Sequence, residues 1–169
     1  MRRDLTVERT YPHPPERVWR ALTDPAALSR WLMPNDFRAE PGAVFHFRAA
    51  PRPGFDGTVV CRVVEVTPPH TLVYTWQGSS MRHPTLVRFT LQPLPGGTHL
   101  RLEHRGFEGP ADVAISLLLG SGWRRLLRRR LPAVLAGRGG PRPAAGAPLL
   151  QEAPGDRDGV GGSGGDQGA

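Results

Sequence analysis

Residues 71–104 read TLVYTWQGSSMRHPTLVRFTLQPLPGGTHLRLEH, and the alternation within them decides the fold. Three runs, 71–77, 85–92 and 98–104, carry large apolar side chains at every second position, the period of a half-buried strand. GSS at 78–80 and LPGG at 94–97 separate the runs with turn residues. Links this short join antiparallel neighbours, because a parallel pair needs a crossover of about a dozen residues or more.

The same period continues upstream. Residues 56–66 form a strand that ends at Pro68 and Pro69, and residues 44–49 place Phe45 and Phe47 on one face with His46 and Arg48 on the other. Residues 4–11 read as a short first strand with Leu5, Val7 and Arg9 on one side. Between these segments the period becomes helical. Pro14 and Pro15 suit the first turn of a helix whose apolar stripe is Val18, Trp19, Ala21 and Leu22; Asp24 can cap a second short helix, 25–32.

After Pro110 the helical period returns for the longest element, 110–136. Its stripe is read as Val113, Leu117, Gly120 or Ser121, Trp123, Leu126, Leu127, Leu131, Val134 and Leu135, with Arg124, Arg125, Arg128 and Arg129 opposite. Leu119, Trp123, Leu127 and Val134 are expected to pack on the sheet. Pro132 requires a kink or a broken last turn, and Gly137 is a suitable stop. The order predicts an α+β fold: a curved antiparallel sheet of about six strands gripping a long C-terminal helix, with two short helices after the first strand.

Composition bounds the rest. The chain has 169 residues and a net charge of +7, and every one of its 22 basic residues is arginine. The excess positive charge lies before Gly137. A surface for nucleic acid or an acidic membrane is one reading of it. A GC-rich coding bias, expected from Arg without Lys beside abundant Ala, Gly and Pro, is the favoured one. A single cysteine, Cys61, excludes an internal disulfide and a multi-cysteine metal cage; beside Val59 and Val63 it reads as a small buried hydrophobe. The six histidines show no metal-ligand spacing, so neither metal nor cofactor is expected. Without an apolar leader after MRRDL or a run of roughly 20 apolar residues, a cytoplasmic protein with no membrane span is expected. Residues 1–136 form one domain, and residues 137–169, rich in Gly and Pro, read as a disordered tail.

Four segments in order, PPERVWRALTDPAALSRWLMPNDF (14–37), PGFDGTVVCRVVEVTPPHTLVYTWQG (53–78), LVRFTLQPLPGGTHLRLEHRGF (86–107) and GSGWRRLLRRRLPAVL (120–135), resemble the START-like SRPBCC superfamily. Within it they resemble the branch named for the C-terminal domain of the activator of the heat-shock protein 90 ATPase. The resemblance implies a helix-grip fold of the START/Bet v kind with a hydrophobic tunnel. Members use that tunnel for lipid or polyketide binding, ring cyclisation, drug sequestration or chaperone assistance. A first strand near Asp4 leaves no room for the additional chaperone-binding domain of the eukaryotic co-chaperone.

A bent sheet cannot close fully on a straight helix, so a mostly apolar cavity of at least roughly 300 Å3 is expected between residues 31–37 and the C-terminal helix. Its expected lining is Trp31, Phe45, Phe47, Tyr74, Trp76 and Trp123, each of which serves core packing equally well. The candidate polar anchors are His104, in phase with Leu100 and Leu102, and Arg88, in phase with Leu86; a structural histidine and a solvent-facing arginine are the competing readings. The first functional expectation is binding or sequestration of a small apolar molecule. A protein partner, chaperone or regulator, met by the basic helix face is the second. A cyclase or hydrolase is the third; no acid and base pair is visible for it, because Glu103 and His104 point to opposite faces of a strand. No sequence-specific nucleic-acid contact is expected.

Overall fold

The structure is a computed structural model that describes residues 2–137. The expected tail therefore lies outside the described residues, apart from Gly137. Its strands are β1 (Arg2–Tyr11), β2 (Val44–Arg48), β3 (Thr58–Thr67), β4 (Thr71–Gly78), β5 (Thr85–Leu94) and β6 (Gly97–Glu108). They form one six-stranded antiparallel sheet in the order β1-β6-β5-β4-β3-β2. Register shifts between Arg3 and Leu5 and between Val63 and Glu65 add the local bend that lets the sheet curve. Two short helices, α1 (Pro15–Thr23) and α2 (Pro25–Trp31), follow β1, each with proline in its first turn.

The C-terminal helix is α3 (Gly109–Arg125), a π-helical turn (Leu126–Arg130) and α4 (Leu131–Leu135). The π turn follows from the spacing of apolar residues. Trp123, Leu127, Leu131 and Leu135 recur every fourth residue, and all four are buried. At about 100° per residue, an unbroken α-helix would swing Leu135 about 120° away from Trp123. One wider turn removes most of that drift and keeps the four on one face.

The same turn leaves a carbonyl to be satisfied. The Leu131 N–H is drawn back to the Leu126 carbonyl, and the next residue, Pro132, has no N–H. Leu127 O is thus without its helical donor, and the buried Tyr11 hydroxyl of β1 donates to it at 2.6 Å. The broken last turn expected at Pro132 is this arrangement. Gly120 lies over Leu5, whose Cδ2 would stand 3.4 Å from an added Cβ, so a small residue brings the helix down onto β1.

The start of the helix differs from the expected phase. Leu117 is 55% exposed and Val113 only half-buried, and Ser116 turns inward beside Leu119, Gly120 and Trp123, which are buried as expected. The cause is degeneracy: residues 113–119, VAISLLL, are so uniformly apolar that several phases fit them.

At the middle of the sheet the helix is fixed by a polar chain. The Trp123 indole N–H donates to His104 Nδ1 at 3.1 Å, His104 Nε2 meets Thr85 Oγ1 at 2.7 Å, and the Thr85 hydroxyl donates to the Trp76 carbonyl at 2.8 Å. The Thr85 proton is used on Trp76, and indole can only donate, so His104 carries its proton on Nε2 and accepts on Nδ1. Burial of the ring lowers its pKa to about 3.

Two consequences can be measured. Tyr11→Phe orphans a buried carbonyl and should cost about 1–3 kcal/mol in urea unfolding; Pro132→Ala, which restores an N–H near that carbonyl, should make the loss smaller. An equal loss in both backgrounds contradicts this account of the π turn. Because folding depresses the His104 pKa, the unfolded chain binds the extra proton as pH falls below about 6.5, and stability drops with it. His104→Gln, which cannot take that proton, should remove about 2 kcal/mol of the stability change between pH 7 and pH 5.

Candidate functional site

Where α3 begins, the helix leaves the sheet uncovered and a cavity of about 970 Å3 opens. On the helix side Ala111, Ile115, Leu118 and Leu119 line it, at i, i+4, i+7 and i+8 of one helical face. Val59 of β3 and Trp76 of β4 form its floor. Two loops make its mouth, residues 52–55 between β2 and β3 and residues 78–81 between β4 and β5.

Both loops are held by their own chemistry. Arg52 and Phe55 exchange backbone hydrogen bonds of 2.8 and 2.9 Å around Pro53 and Gly54. Proline presets the first corner, and Gly54 adopts the φ of +80° that a side chain would resist, so Arg52 and Phe55 stand together at the mouth. In the second loop the Met81 N–H donates to the Gly78 carbonyl at 3.0 Å, and the Gly78 N–H points at Met81 Sδ at 3.3 Å. The Asp56 N–H donates to Ser79 Oγ at 2.9 Å and ties the loops to each other. Among the described residues lining the cavity, Arg52 is the one charged side chain and Ser80 the one with a hydroxyl.

Of the eight residues expected at a site, Trp76 lines this cavity. Trp123 lies behind it, with ring centroids 5.5 Å apart, fully buried and committed to His104. Phe45, Phe47 and Tyr74 are buried among themselves, Phe45 lying 5.3 Å from Phe47 and 5.1 Å from Tyr74. The Tyr74 hydroxyl finds no hydrogen-bond partner among the described residues, and burial raises its pKa well above the ordinary value. Trp31 is equally buried and donates its indole N–H to the Ala21 carbonyl at 2.8 Å, joining α1 to α2. These rings are core.

The two polar anchors are also elsewhere. His104 is enclosed by Thr85, Trp76, Phe107 and Trp123 with both ring nitrogens satisfied. Arg88 stands exposed on the outer face of the sheet, opposite Glu103 in register; the Glu103 carboxylate itself pairs with Arg101 and Arg105. Cys61 is buried on β3, and desolvation first, with Asp36 second, raises its pKa well above the usual thiol range.

The place of the cavity is a correction. The end near residues 31–37 is plugged by Trp31, Leu32, Met33 and Phe37, all buried, and the opening lies at the other end of the helix. Arg52, Phe55, Met81, Ile115 and Leu118 were not among the expected residues. The PRPGF turn at 51–55 and the helical spacing from Ala111 to Leu119 were the signals available for them.

Comparison with known proteins agrees with this architecture. The family described as activator of Hsp90 ATPase homolog 1-like protein matches residues 12–136. Protein MLL2253 from Mesorhizobium loti is 37% identical, with a TM-score of 0.70 over 82% of this chain and 99% of that one. BH1534 from Bacillus halodurans is 28% identical, with a TM-score of 0.66 over 79% of this chain and 98% of that one. CalU16 from Micromonospora echinospora, 23% identical, shares the fold with a TM-score of 0.63 over 83% of this chain and 78% of that one. No curated protein matches the sequence. Among the described residues no helix is long and apolar enough to cross a membrane, and no three His, Cys, Asp or Glu side chains converge as a metal site. With the family pattern matched from the end of β1 to the end of α4, the chain belongs to the activator of Hsp90 ATPase homolog 1-like family.

Proposed function

We propose that this protein binds a small apolar molecule in the cavity between the first half of α3 and the loops at 52–55 and 78–81. The observation that carries the reading is the wall itself: about 970 Å3, bounded by Trp76, Phe55, Met81, Ile115, Leu118 and Leu119. That volume is at the upper end of the range of small-molecule sites, and an apolar wall with few polar groups is their usual make-up. Displacing water from such a wall favours binding by roughly 25 cal/mol for each Å2 of apolar surface covered.

A reaction in the same place would need a general acid and a general base within reach of the bound molecule. Among the described residues the lining holds no carboxylate, imidazole or thiol to act as either group, and its one hydroxyl, that of Ser80, has no basic partner there. Binding is accordingly favoured over catalysis. The exposed arginines of the helix, Arg124, Arg128 and Arg129, are the feature that suits a protein partner; they carry no pocket and form the second reading.

A neutral solvatochromic dye such as Nile red should bind the native protein at about one per chain. Ile115→Trp, which fills the cavity from the helix side, should weaken it at least about tenfold, the effect of losing roughly 1.4 kcal/mol. Val64→Trp, on the exposed face of β3, should leave binding unchanged. Equal dye binding by the Ile115 variant and the wild type would remove the cavity as the site.

A further inference from the structure

We infer that the exposed side of the C-terminal helix docks on an anionic lipid surface, with the mouth of the cavity turned toward the lipid. The docking stands on the helix surface itself and does not require that the cavity hold a ligand. Its first support is a segregation along one side of the helix. From Ala111 to Ser121 the exposed residues are Ala111, Ala114, Leu117, Leu118 and Ser121, with no charge among them. Leu117 and Leu118 are 55% and 39% exposed on a helix whose Leu119, Leu126 and Leu127 are buried. From Arg124 onward the same side is cationic: five of the seven residues 124–130 are arginine, and Arg124, Arg128 and Arg129 are exposed. At about 100° per residue, Leu117, Ser121 and Arg124 fall within about 60° of one another, so the apolar and cationic halves share one face.

The second support is the lack of counter-charge. Among the described residues the arginines in ion pairs are Arg2, Arg38, Arg101 and Arg105, and none of the five on the helix is paired. Arg130 is held below its ordinary pKa by partial burial first and by the neighbouring Arg125 second, so like charges stand together there. Glu16 and Asp24, which line the groove beside α4, share it with Arg17, Arg20 and Arg30. A coding bias accounts for arginine in place of lysine; it does not gather five of them within seven residues without an acid. A nucleic acid or an acidic protein would meet the arginines and leave the two leucines in water. A bilayer accommodates both, with leucines at the acyl boundary and guanidinium groups among the phosphates. Ala111 and Leu118 are exposed and also line the cavity, so a helix lying this way sets the mouth against the lipid.

The test is co-sedimentation of the full chain with vesicles of phosphatidylcholine, with and without one third phosphatidylglycerol. Binding to the anionic vesicles should be at least about tenfold tighter and should weaken as salt is added. Each arginine near such a surface contributes about fivefold, so Arg124→Gln, Arg128→Gln and Arg129→Gln together should weaken binding about a hundredfold. Leu117→Ser with Leu118→Ser should weaken vesicle binding at least about fivefold and leave binding to heparin, a polyanion with no apolar phase, unchanged. Val64→Ser, exposed on the sheet, should leave both unchanged. Equal binding to the two kinds of vesicle, no binding to either, or an arginine variant that binds like the wild type overturns the inference. Vesicle binding that survives in the leucine variant assigns the face to polyanions in general and overturns the lipid surface as its partner. None of these results alters dye binding in the cavity, so the two readings fail separately.

Discussion

The fold depends on a neutral imidazole at the centre of the sheet. His104 joins the long C-terminal helix to the sheet, through Trp123 on one nitrogen and Thr85 on the other. Leaving either nitrogen unpaired in so apolar a setting would cost a few kcal/mol, so the chain of donors admits one tautomer and one helix position. Burial that lowers the histidine pKa to about 3 keeps it in the form this chain requires. The residue that looked most like chemistry is the one that sets the geometry.

That fixed point divides the helix into unequal halves. Beyond Trp123, the π turn and α4 pack against α1 and α2, and Leu127, Leu131 and Leu135 are buried. Before Trp123, α3 packs chiefly on β1 and β6. Two short helices can seal one end of a curved sheet. The other end is closed only by loops, and a large cavity remains there.

Much of this was legible in the sequence, because periodicity reports which side of a strand or helix is buried. Alternation from Thr71 to His104 predicted the antiparallel strands, and the prolines at 14, 15 and 25 placed the helix starts. β6 nevertheless runs on to Glu108. Phe107 is buried out of the phase of Leu100, Leu102 and His104, because a bulge at Gly106, with φ of +100°, adds one residue and bends the strand without ending it; a glycine reads as a stop when only the sequence is in view. The site was far less legible. Aromatic side chains were expected to line a cavity, yet Phe45 packs edge to face with both Phe47 and Tyr74, an arrangement their quadrupoles favour. Large rings fill space; the residues around the real opening, among them Gly54, Gly78, Ser80 and Ala111, leave it.

The same reasoning explains why the charge at the mouth escaped notice. Arg88 sits on a strand, where alternation invites a choice between two faces, and it lies on the exposed one. Arg52 sits in a loop, where no period assigns a face, and its position is set by a proline, a glycine and two backbone hydrogen bonds. Loops carry the specificity of many scaffolds because their residues are released from the demands of the core. Here the division is spatial as well: the rings and the histidine join the sheet to the helix, and the two tied loops form the mouth of the cavity between them.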